Sequence, residues 1–402
     1  MAEGPEAPGD AAAAAPKARP QSARRPLHVA LVCHPTQGGS GVLATELARE
    51  LGRRGSIAHV VSYQPPLRLP RFPPNVFFHE VDLPSHPLLV HAPYEMALAT
   101  KIVEVARYEG VEVVHVHYAV PHAFAAVTAA AMVAPAPLRV VATLHGTDVT
   151  QLGDDETIAP ALAWSLRKCD AVTAVSASLA AAARERFGLD HVRVIPNFVD
   201  PVSMRPHRDP ALRASLAAPG DLVLLHASNF RPVKRIPDVV RVFAAVARAR
   251  PAVLLMLGDG PEVAAAHRMA RELGVADRVH FLGMHEDVAP LLSVADVFLL
   301  PSETESFGLA ALEAMACEVP VVATCVGGLP EVIEHGRTGW LCPPGDIEGM
   351  AAACLRLADP ATHATMASQA RHRAVTAFGA ARVVPRYEAL YREVLAAEAG
   401  RA

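Results

Sequence analysis

The sequence predicts an α/β protein in which two doubly wound, Rossmann-like domains face each other across a cleft. Short β-branched runs alternate with stretches of Ala, Leu, Glu and Arg at helical spacing along most of the 402 residues. Strands that are apolar throughout and separated by helices are typical of parallel sheets covered on both faces. A Pro-rich stretch divides the runs into two sets, and each half is long enough to bury a core.

The predicted elements divide the chain into five parts. An Ala/Pro-rich segment, 1–26, is expected to be a disordered tail. An N-terminal domain at 27–198 is followed by a linker at 199–220 and a C-terminal domain at 221–379. A last helix lies within 380–402, and packing back onto the N-terminal domain is one possibility for it. The predicted strands are 28–33, 58–63, 111–118, 139–145, 171–176 and 192–197, then 221–228, 252–260, 278–283, 295–302, 320–328 and 339–344.

Composition excludes several classes of function. A net charge of −4 with both signs interspersed gives no basic footprint for nucleic acid and no polybasic membrane patch. The most apolar stretch, 123–144, contains two prolines and Arg139, which favours a buried helix and strand over stable membrane insertion. Six scattered cysteines without a C-x-x-C pair indicate reduced thiols in a cytoplasmic protein. His115 and His117 share a strand face but lack further ligands at useful spacing, so no metal site is expected.

A glycine-rich turn, "GGSG", follows the first strand and opens a helix. Its glycines permit close backbone approach, and a helix N-terminus attracts anions. Gly39-x-Gly41-x-x-Ala44 formally fits a dinucleotide site, which would make the chain an NAD-dependent oxidoreductase. The second strand ends "VVSYQPP" without the acid that such a site places on the ribose, and no P-loop lysine is present. A turn without any ligand is the remaining alternative.

The stretch 301–333 carries the most specific pattern. Glu305 lies in a predicted loop and Glu313 lies eight residues further on, in a predicted helix. Backbone N–H groups of Ser306 to Leu309 would form an anion-binding nest at the start of that helix. Carboxylates accept hydrogen bonds from paired hydroxyls, so the combination suits a phosphorylated sugar or nucleotide.

This stretch, "ESFGLAALEAMACEVPVVATCVGGLPEVI", resembles the signature of retaining glycosyltransferases of family 4, which have the GT-B fold. The GGSG loop, "LHGTD" and "GDGPE" agree with that resemblance, which covers about residues 27–395. It implies that the N-terminal domain binds the acceptor and the C-terminal domain binds a nucleotide sugar. The expected activity is that of a UDP-sugar-dependent hexosyltransferase that needs no cofactor and no metal.

The same resemblance implies roles for individual residues. Glu305 would contact the donor sugar and Glu313 the ribose, while His145 would lie near the transferring sugar. Where many relatives have an arginine, this chain has Asn229, so Lys234 and Arg231 would stabilise the departing diphosphate. The expected catalytic residues are His145, Glu305, Lys234 and Arg231. The expected donor-binding residues are Gly39, Ser40, Gly41, Asn229, Ser306, Phe307, Gly308, Leu309 and Glu313.

Segments such as "HPTQGGSGVLATELARELGRRG", "APYEMALATKIVEVA" and "SNFRPVKRIPDVV" show a narrower likeness, to members that transfer GlcNAc from UDP-GlcNAc to the hydroxyl of L-malate. That reaction is the first step of bacillithiol biosynthesis. One departure is Ala163, where these members carry an arginine, with Arg167 one turn on. The expected acceptor-binding residues are Ser40, Tyr94, Lys101, Tyr118, His122 and Thr143. Open alternatives are another acceptor such as inositol phosphate or a glycan, and a nucleotide-sugar-binding protein without catalysis. The oligomeric state is also open, with a homo-oligomer among the possibilities.

Overall fold

The computed structural model describes residues 1, 25–35, 38–66, 69, 73–83, 85, 87–88 and 91–397. Most of the expected disordered tail, 1–26, and the last five residues lie outside the described residues.

The first domain contains a parallel sheet with the strand order β3-β2-β1-β4-β5-β6-β7. Helices cover both faces of the sheet, so its central strands are fully buried. The elements are β1 His28–Val32, α1 Gly39–Arg53, β2 Ile57–Ser62, β3 Val76–Glu80, α2 Tyr94–Glu109, β4 Val113–His117, α3 Ala119–Val133, β5 Arg139–Leu144, α4 Thr147–Thr150, α5 Ala159–Lys168, β6 Ala171–Ala174, α6 Ala177–Phe187 and β7 Arg193–Val194.

The second domain contains a six-stranded parallel sheet with the order β10-β9-β8-β11-β12-β13. Its elements, with the helix that precedes them, are α7 Pro210–Leu216, β8 Leu222–Ala227, α8 Ile236–Ala249, β9 Ala252–Leu257, α9 Val263–Glu272, β10 Val279–Gly283, α10 Ala289–Ser293, β11 Val297–Leu300, α11 Leu309–Ala316, β12 Val321–Thr324, α12 Leu329–Val332, β13 Gly339–Cys342, α13 Ile347–Arg356 and α14 Pro360–Phe378. The last helix is α15 Ala380–Ala396.

The chain crosses between the domains twice, and the two crossings are hydrogen-bonded to each other. The Val199 N–H donates to the Phe378 carbonyl (3.0 Å), and the Ala380 N–H donates to the Val199 carbonyl (2.9 Å). After the second crossing, α15 lies against the first domain, where Tyr387 and Tyr391 share a buried cluster with α1 and β1. The segment 199–220 is more than a linker, since it contains α7, which Asp209 caps and which begins with a proline.

The fold class that the sequence predicts is confirmed, with one strand added. The strand β3 was not predicted: it pairs with β2 at the edge of the sheet. Its residues run buried, exposed, half-buried, half-buried, exposed, so it shows neither the apolar run of a central strand nor a clear alternation. Within the described part of the chain, no helix has both the length and the apolarity that a membrane crossing needs.

Candidate active site

Each sheet has one point where the strand order reverses, and the two points face each other. In the first sheet this point lies between β1 and β4, and in the second between β8 and β11. Open α/β sheets bind ligands in the crevice beyond the carboxyl ends of the strands at such points. The loops that follow these four strands and their neighbours, the His145 loop after β5 among them, enclose two contiguous cavities in the cleft.

We call these the His145 cavity, of about 440 Å³, and the Glu313 cavity, of about 230 Å³. The predicted site residues that line the His145 cavity are Gly39, Ser40, Tyr118, His145, Asn229, Arg231, Lys234, Glu305, Ser306, Phe307, Gly308 and Leu309. Those that line the Glu313 cavity are Gly39, Asn229, Lys234, Glu305, Gly308, Leu309 and Glu313. The topology therefore brings most of the predicted donor-binding and catalytic residues together.

Two helices begin at the junction of the cavities, one from each domain. The first helical residue of α1 is Gly39, and that of α11 is Leu309, which follows Gly308 at a φ of +91°. A β-carbon placed on Gly39 would lie 3.6 Å from Leu309 Cδ2, so the two helix starts are in contact. Neither start has a side-chain cap, which leaves backbone N–H groups for a ligand. Opposed positive helix ends suit an anion with two charged groups, such as a diphosphate.

A lysine and a glutamate of the second domain form an ion pair at the wall shared by the cavities. Lys234 lies in a short turn after β8, and its Nζ is 2.6 Å from the Glu305 Oε2. The Ser302 hydroxyl donates to the same oxygen at 3.3 Å. Both charged side chains are mostly buried, with 19% and 14% of their surfaces exposed, so their charges are only weakly screened by solvent.

The loop that carries Glu305 is held in place by the two glycines of the "VGGLPE" sequence. The Gly328 N–H donates to the Glu305 carbonyl at 2.9 Å. A β-carbon on Gly327, at a φ of +52°, would lie 2.0 Å from that carbonyl oxygen, and one on Gly328 would lie 2.2 Å from the Ser306 carbonyl. Only glycine permits this approach, which explains why these glycines accompany the glutamate in the sequence.

Arg231 contacts the opposite domain. Its Nη2 donates to the Gln151 Oε1 at 3.0 Å, across the His145 cavity. Gln151 follows α4, so the arginine links the start of the second domain to the His145 loop of the first. Within the described lining of the His145 cavity, Arg231 and Lys234 are the two lysine or arginine side chains.

Asp148 organises the loop that contains His145. Its Oδ1 accepts hydrogen bonds from the backbone N–H groups of Gly146 (2.7 Å) and His145 (3.1 Å), and its Oδ2 accepts one from Ala119 (3.1 Å). Burial raises the pKa of the Asp148 carboxyl above its usual value, although the three N–H donors oppose that shift. The buried carboxylate of Asp148 therefore connects the His145 loop to the start of α3.

His145 is a neutral imidazole at the cavity wall. Burial lowers its pKa to about 3, and the Nε2 atom lies 3.2 Å from the Nδ1 of His117 on the neighbouring strand. Its ring can therefore donate or accept a hydrogen bond, but it carries no charge at neutral pH.

Two of the predicted acceptor-binding residues, Ser40 and Tyr118, line the His145 cavity. Ser40 lies in the first turn of α1. Tyr118 precedes α3 with a φ of +76°, and its hydroxyl is 2.6 Å from the Thr147 Oγ1. These two side chains, together with Arg231, give the cavity donors for an anionic acceptor.

The other acceptor predictions are not supported by the positions of the side chains. Thr143 is fully buried within the sheet, where its hydroxyl contacts His115 and Thr173, and this prediction is corrected. His122, another predicted acceptor-binding residue, lies in the first turn of α3 and is fully buried behind His34.

Three further predicted residues lie away from both cavity linings. Tyr94 begins α2 and packs its ring against Tyr63, and Lys101 pairs with Glu104 on the same helix. Gly41 is buried inside the first turn of α1, where its carbonyl accepts a hydrogen bond from the Thr45 hydroxyl. The contacts of these three residues are therefore made outside the two cavities.

The sequence patterns do not identify several of the residues that line the cavities. They share one property that could have identified them, since most follow directly on the carboxyl end of a strand or on the HGTD sequence. They include His34, Thr147, Thr150, Gln151 and Asn197 in the His145 cavity, and Ser228, Met284 and His285 in the Glu313 cavity. Arg167, one turn beyond Ala163, donates to the Phe187 carbonyl and lines neither cavity.

Among the described residues, no group of three or more His, Cys, Asp or Glu side chains could hold a metal ion.

Comparison with known proteins identifies the family. Residues 37–203 match the model of Glycosyltransferase Family 4, and residues 221–359 match that of Glycosyl transferases group 1. The chain is 41% identical over 372 residues to N-acetyl-alpha-D-glucosaminyl L-malate synthase of Bacillus anthracis, which covers 92% of this chain and 97% of that protein. It is 36% identical over 227 residues to D-inositol 3-phosphate glycosyltransferase of Saccharomonospora viridis, about half of each chain.

Solved structures agree with this assignment at the level of the fold. Sucrose-phosphate synthase from Thermosynechococcus elongatus superposes with a TM-score of 0.76 at 26% identity, over 92% of this chain and all of that one. Anabaena HepE in complex with UDP and glucose superposes with a TM-score of 0.76 at 23% identity, over 90% of this chain and 99% of that one. With both domains matched and the cleft between them lined as described, the chain belongs to the family 4 glycosyltransferases of the GT-B fold and is a sugar-transferring enzyme, not an oxidoreductase.

Proposed function

We propose that this enzyme transfers GlcNAc from UDP-GlcNAc to the hydroxyl of L-malate, with retention of the anomeric configuration, as the first step of bacillithiol biosynthesis. The near full-length similarity to a protein of that name supports the pair of substrates. The single structural observation that carries the proposal is the pair of opposed helix starts beside Lys234 in the cleft.

The diphosphate of the donor would lie at that junction. The N-terminal N–H groups of α1 and α11 would bind its oxygens, and Lys234 and Arg231 would stabilise the charge that accumulates on departing UDP. In this scheme the protein supplies the positive charge that the diphosphate needs, and neither a metal nor a cofactor is required. Glu313 would accept hydrogen bonds from the ribose, and Glu305 from the sugar.

The carboxylate content of the His145 cavity favours a one-step, front-face reaction. Two-step retaining catalysis on sugars typically uses two carboxyl groups about 5 Å apart, one as nucleophile. Of the described residues lining the His145 cavity, Glu305 is the one carboxylate, and it is paired with Lys234. The acceptor oxygen would therefore attack the anomeric carbon on the face from which UDP departs. The bond from that carbon to the β-phosphate oxygen breaks, and this oxygen takes the acceptor proton.

The acceptor would occupy the part of the His145 cavity lined by the first domain. Ser40, Tyr118 and Thr147 offer hydroxyl donors there, and Arg231 offers a cation for a carboxylate. The enzyme would act in the cytoplasm, and its six free cysteines are compatible with a reducing compartment.

The test is UDP release from UDP-GlcNAc by the purified chain, with L-malate, D-malate, inositol phosphate or water as acceptor. We expect rapid release with L-malate, and NMR should show an α-linked product. Release with L-malate no faster than with water would overturn the malate proposal, and faster release with inositol phosphate would replace it by that acceptor. Faster turnover of UDP-glucose than of UDP-GlcNAc would overturn the choice of donor. Full transfer by both His145→Ala and Glu305→Ala would overturn the site.

A further inference from the structure

Behind the His145 cavity, three histidines of the first sheet form a contiguous layer. His145 follows β5 and lines the cavity, while His117 and His115 lie on β4 with their rings on one face of the sheet. The ring centroids of His145 and His117 are 5.3 Å apart, and those of His117 and His115 are 4.2 Å apart. His117 and His115 are fully buried, so neither contacts a substrate.

The contact between His117 and His145 joins two ring nitrogens. The His117 Nδ1 lies 3.2 Å from the His145 Nε2. Because burial lowers the pKa of both rings, both are neutral at pH 7, and each carries one N–H. A hydrogen bond between them needs the hydrogen on one of the two facing nitrogens and a lone pair on the other. The nitrogen that carries this hydrogen determines whether His145 presents an N–H group or a lone pair to the cavity.

The second nitrogen of His117 decides between the two arrangements. Its Nε2 is buried and has no hydrogen-bond partner in the described part of the chain. Buried N–H groups without an acceptor are rarer in proteins than buried acceptors without a donor. The favoured tautomer therefore leaves the His117 Nε2 unprotonated and places the hydrogen on Nδ1, where it can be donated to the His145 Nε2.

The His117 ring is held in this orientation from the other side. The His115 ring packs against it at an interplanar angle of 42°, and the two nitrogens of His115 are fixed by the Tyr391 hydroxyl (2.7 Å) and the Thr143 hydroxyl (2.7 Å). Tyr391 belongs to α15, the helix that returns from the second domain. The packing of α15 therefore fixes His115 through Tyr391, and His115 in turn holds the His117 ring that contacts His145 at the cavity wall.

We propose that His117 is a positioning residue, whose Nδ1–H donates to the His145 Nε2 and so makes His145 present its Nδ1–H to the cavity as a hydrogen-bond donor. Its acceptor would be an oxygen atom of the bound sugar nucleotide, and this part of the proposal rests on the proposed function. With the opposite tautomer His145 would offer a lone pair instead, and the hydrogen bond to an ether or phosphate oxygen would be lost.

The tautomer can be measured without any substrate. Two-bond ¹H–¹⁵N correlation spectra of the full chain, labelled with ¹⁵N-histidine, distinguish protonated from unprotonated ring nitrogens, and loss of one signal set in His145→Gln assigns His145. We expect a protonated Nδ1 and an unprotonated Nε2 for His145. The reverse pattern would overturn the proposal, whether or not the acceptor has been identified correctly.

Kinetics then test whether His117 acts through His145. Loss of a hydrogen bond to the developing charge typically costs about 10²- to 10³-fold in kcat. We expect His117→Leu, which removes the donor, to lower kcat by about 10- to 100-fold, while Kd for UDP-GlcNAc, in which the charge has not yet developed, changes less than about twofold. His117→Asn, whose amide N–H can replace the Nδ1–H, should recover most of that loss.

His59→Leu is the matched control. His59 is another buried histidine of the same sheet, and its Nδ1 lies 2.9 Å from the Nε2 of His79, away from both cavities. This variant should keep the wild-type kcat even if it lowers stability. A wild-type kcat for His117→Leu, or an equal loss in the Asn and Leu variants with both folded, would overturn the positioning role. If wild-type protein transfers no GlcNAc at all, the proposed function fails, and the tautomer is still decided by the spectra.

Discussion

Glu331 of the second domain caps a helix of the first. Its two carboxylate oxygens accept hydrogen bonds from the backbone N–H groups of Ala177 (2.9 Å) and Ser178 (3.0 Å), in the first turn of α6. A carboxylate at a helix N-terminus contributes about 0.3–1 kcal/mol when exposed, through the helix dipole and the otherwise unpaired N–H groups. This contact and the two chain crossings at Val199 and Gly379 connect the same two domains at different places.

We expect Glu331→Ala to open the cleft. Losing the cap removes an interdomain contact, so the radius of gyration of the ligand-free chain in small-angle X-ray scattering should increase, and UDP should reverse part of the increase. Glu348→Ala is the matched control, because that side chain is 83% exposed on α13 and pairs with Arg248 of the same domain, at 4.0 Å. Superimposable scattering curves for wild type and Glu331→Ala would show that the cap does not hold the domains together.

Lys234→Ala should lower kcat/KM for UDP-GlcNAc by about 10²- to 10³-fold, the usual cost of removing a preorganised group that stabilises leaving-group charge. Lys234→Arg should recover only part of this, because a guanidinium does not reproduce the compact charge 2.6 Å from Glu305. Steady-state kinetics and UDP titration calorimetry measure both effects. Arg337→Ala, in an exposed pair with Glu334, should behave as wild type. A Lys234→Ala enzyme with unchanged kcat/KM would exclude the lysine from catalysis.

Gly146→Ala should abolish most of the activity, because Gly146 of the His145 loop lies against Ser306 of the second domain. Gly146 has a φ of +140°, and a β-carbon there would lie 1.9 Å from the Ser306 Oγ. Ser306 can rotate its Oγ away, but its Cβ would still lie 3.0 Å from the added β-carbon, and L residues rarely adopt a φ of +140°. The two loops that carry His145 and Glu305 would therefore have to shift. We expect a loss of at least about 10²-fold in kcat, of the size caused by misplacing a reactive group.

Gly188→Ala is the control for an alanine at a positive φ outside the site. Gly188 ends α6 at a φ of +60°, and a β-carbon added there would meet no described atom within 4 Å. This variant should lower the free energy of unfolding by about 1 kcal/mol, as an alanine in a left-handed position does, and leave kcat unchanged. Equal activities of the two variants would mean that the approach of Gly146 to Ser306 is not needed for catalysis.

Stability should fall as the pH is lowered from about 6.5. Burial lowers the folded-state pKa of eight histidines, to about 3 or about 4 for five of them, below an unfolded value of 6.5. The eight are His34, His59, His79, His115, His117, His122, His145 and His226. In the pH range between the folded and unfolded values, the unfolded chain binds more protons. Each histidine therefore removes up to about 1.4 kcal/mol of stability per pH unit as the pH falls.

Urea unfolding at pH 7.5, 6.5 and 5.5 measures this dependence. Asp148, whose pKa burial raises, opposes the trend, but it is one group against eight histidines. His122→Phe should show a shallower slope by about one proton. A free energy of unfolding that stays constant or rises between pH 6.5 and 5.5 would contradict the assignment of these rings as buried and neutral.

Much of the fold could be predicted because the apolar runs are long and uninterrupted. Strands such as β1 and β9 are buried on both faces, and that burial demands the continuous runs of Val, Leu and other apolar residues seen in the sequence. The strand β3 could not be predicted, since a strand at the edge of a sheet needs no such run. The helix α7 was missed within 199–220 because only its proline and its Asp209 cap mark it.

The donor side of the site was more predictable than the acceptor side. The donor-side pattern is local, because it includes Glu305, Glu313 and the start of α11, which lie close together in sequence. The nearby Gly327 and Gly328 belong to the same pattern, since close backbone contact with the Glu305 loop requires glycine at both positions. The acceptor residues come from separate strands. Whether Thr143 faces the cavity or the sheet interior depends on strand register and on α15, which the local sequence does not encode.

The sequence by itself therefore determined the two parallel-sheet domains, and it predicts phosphate binding at both glycine-marked helix starts. Only the tertiary structure decided that those starts touch, that Arg231 and Glu331 reach across to the first domain, and that a buried His117 lies against His145. The physical reason is that periodicity and turn chemistry act between near neighbours in the chain. Contacts across the cleft depend on how two separately folded sheets are held, here by the paired crossings at Val199 and Gly379 and by the packing of α15.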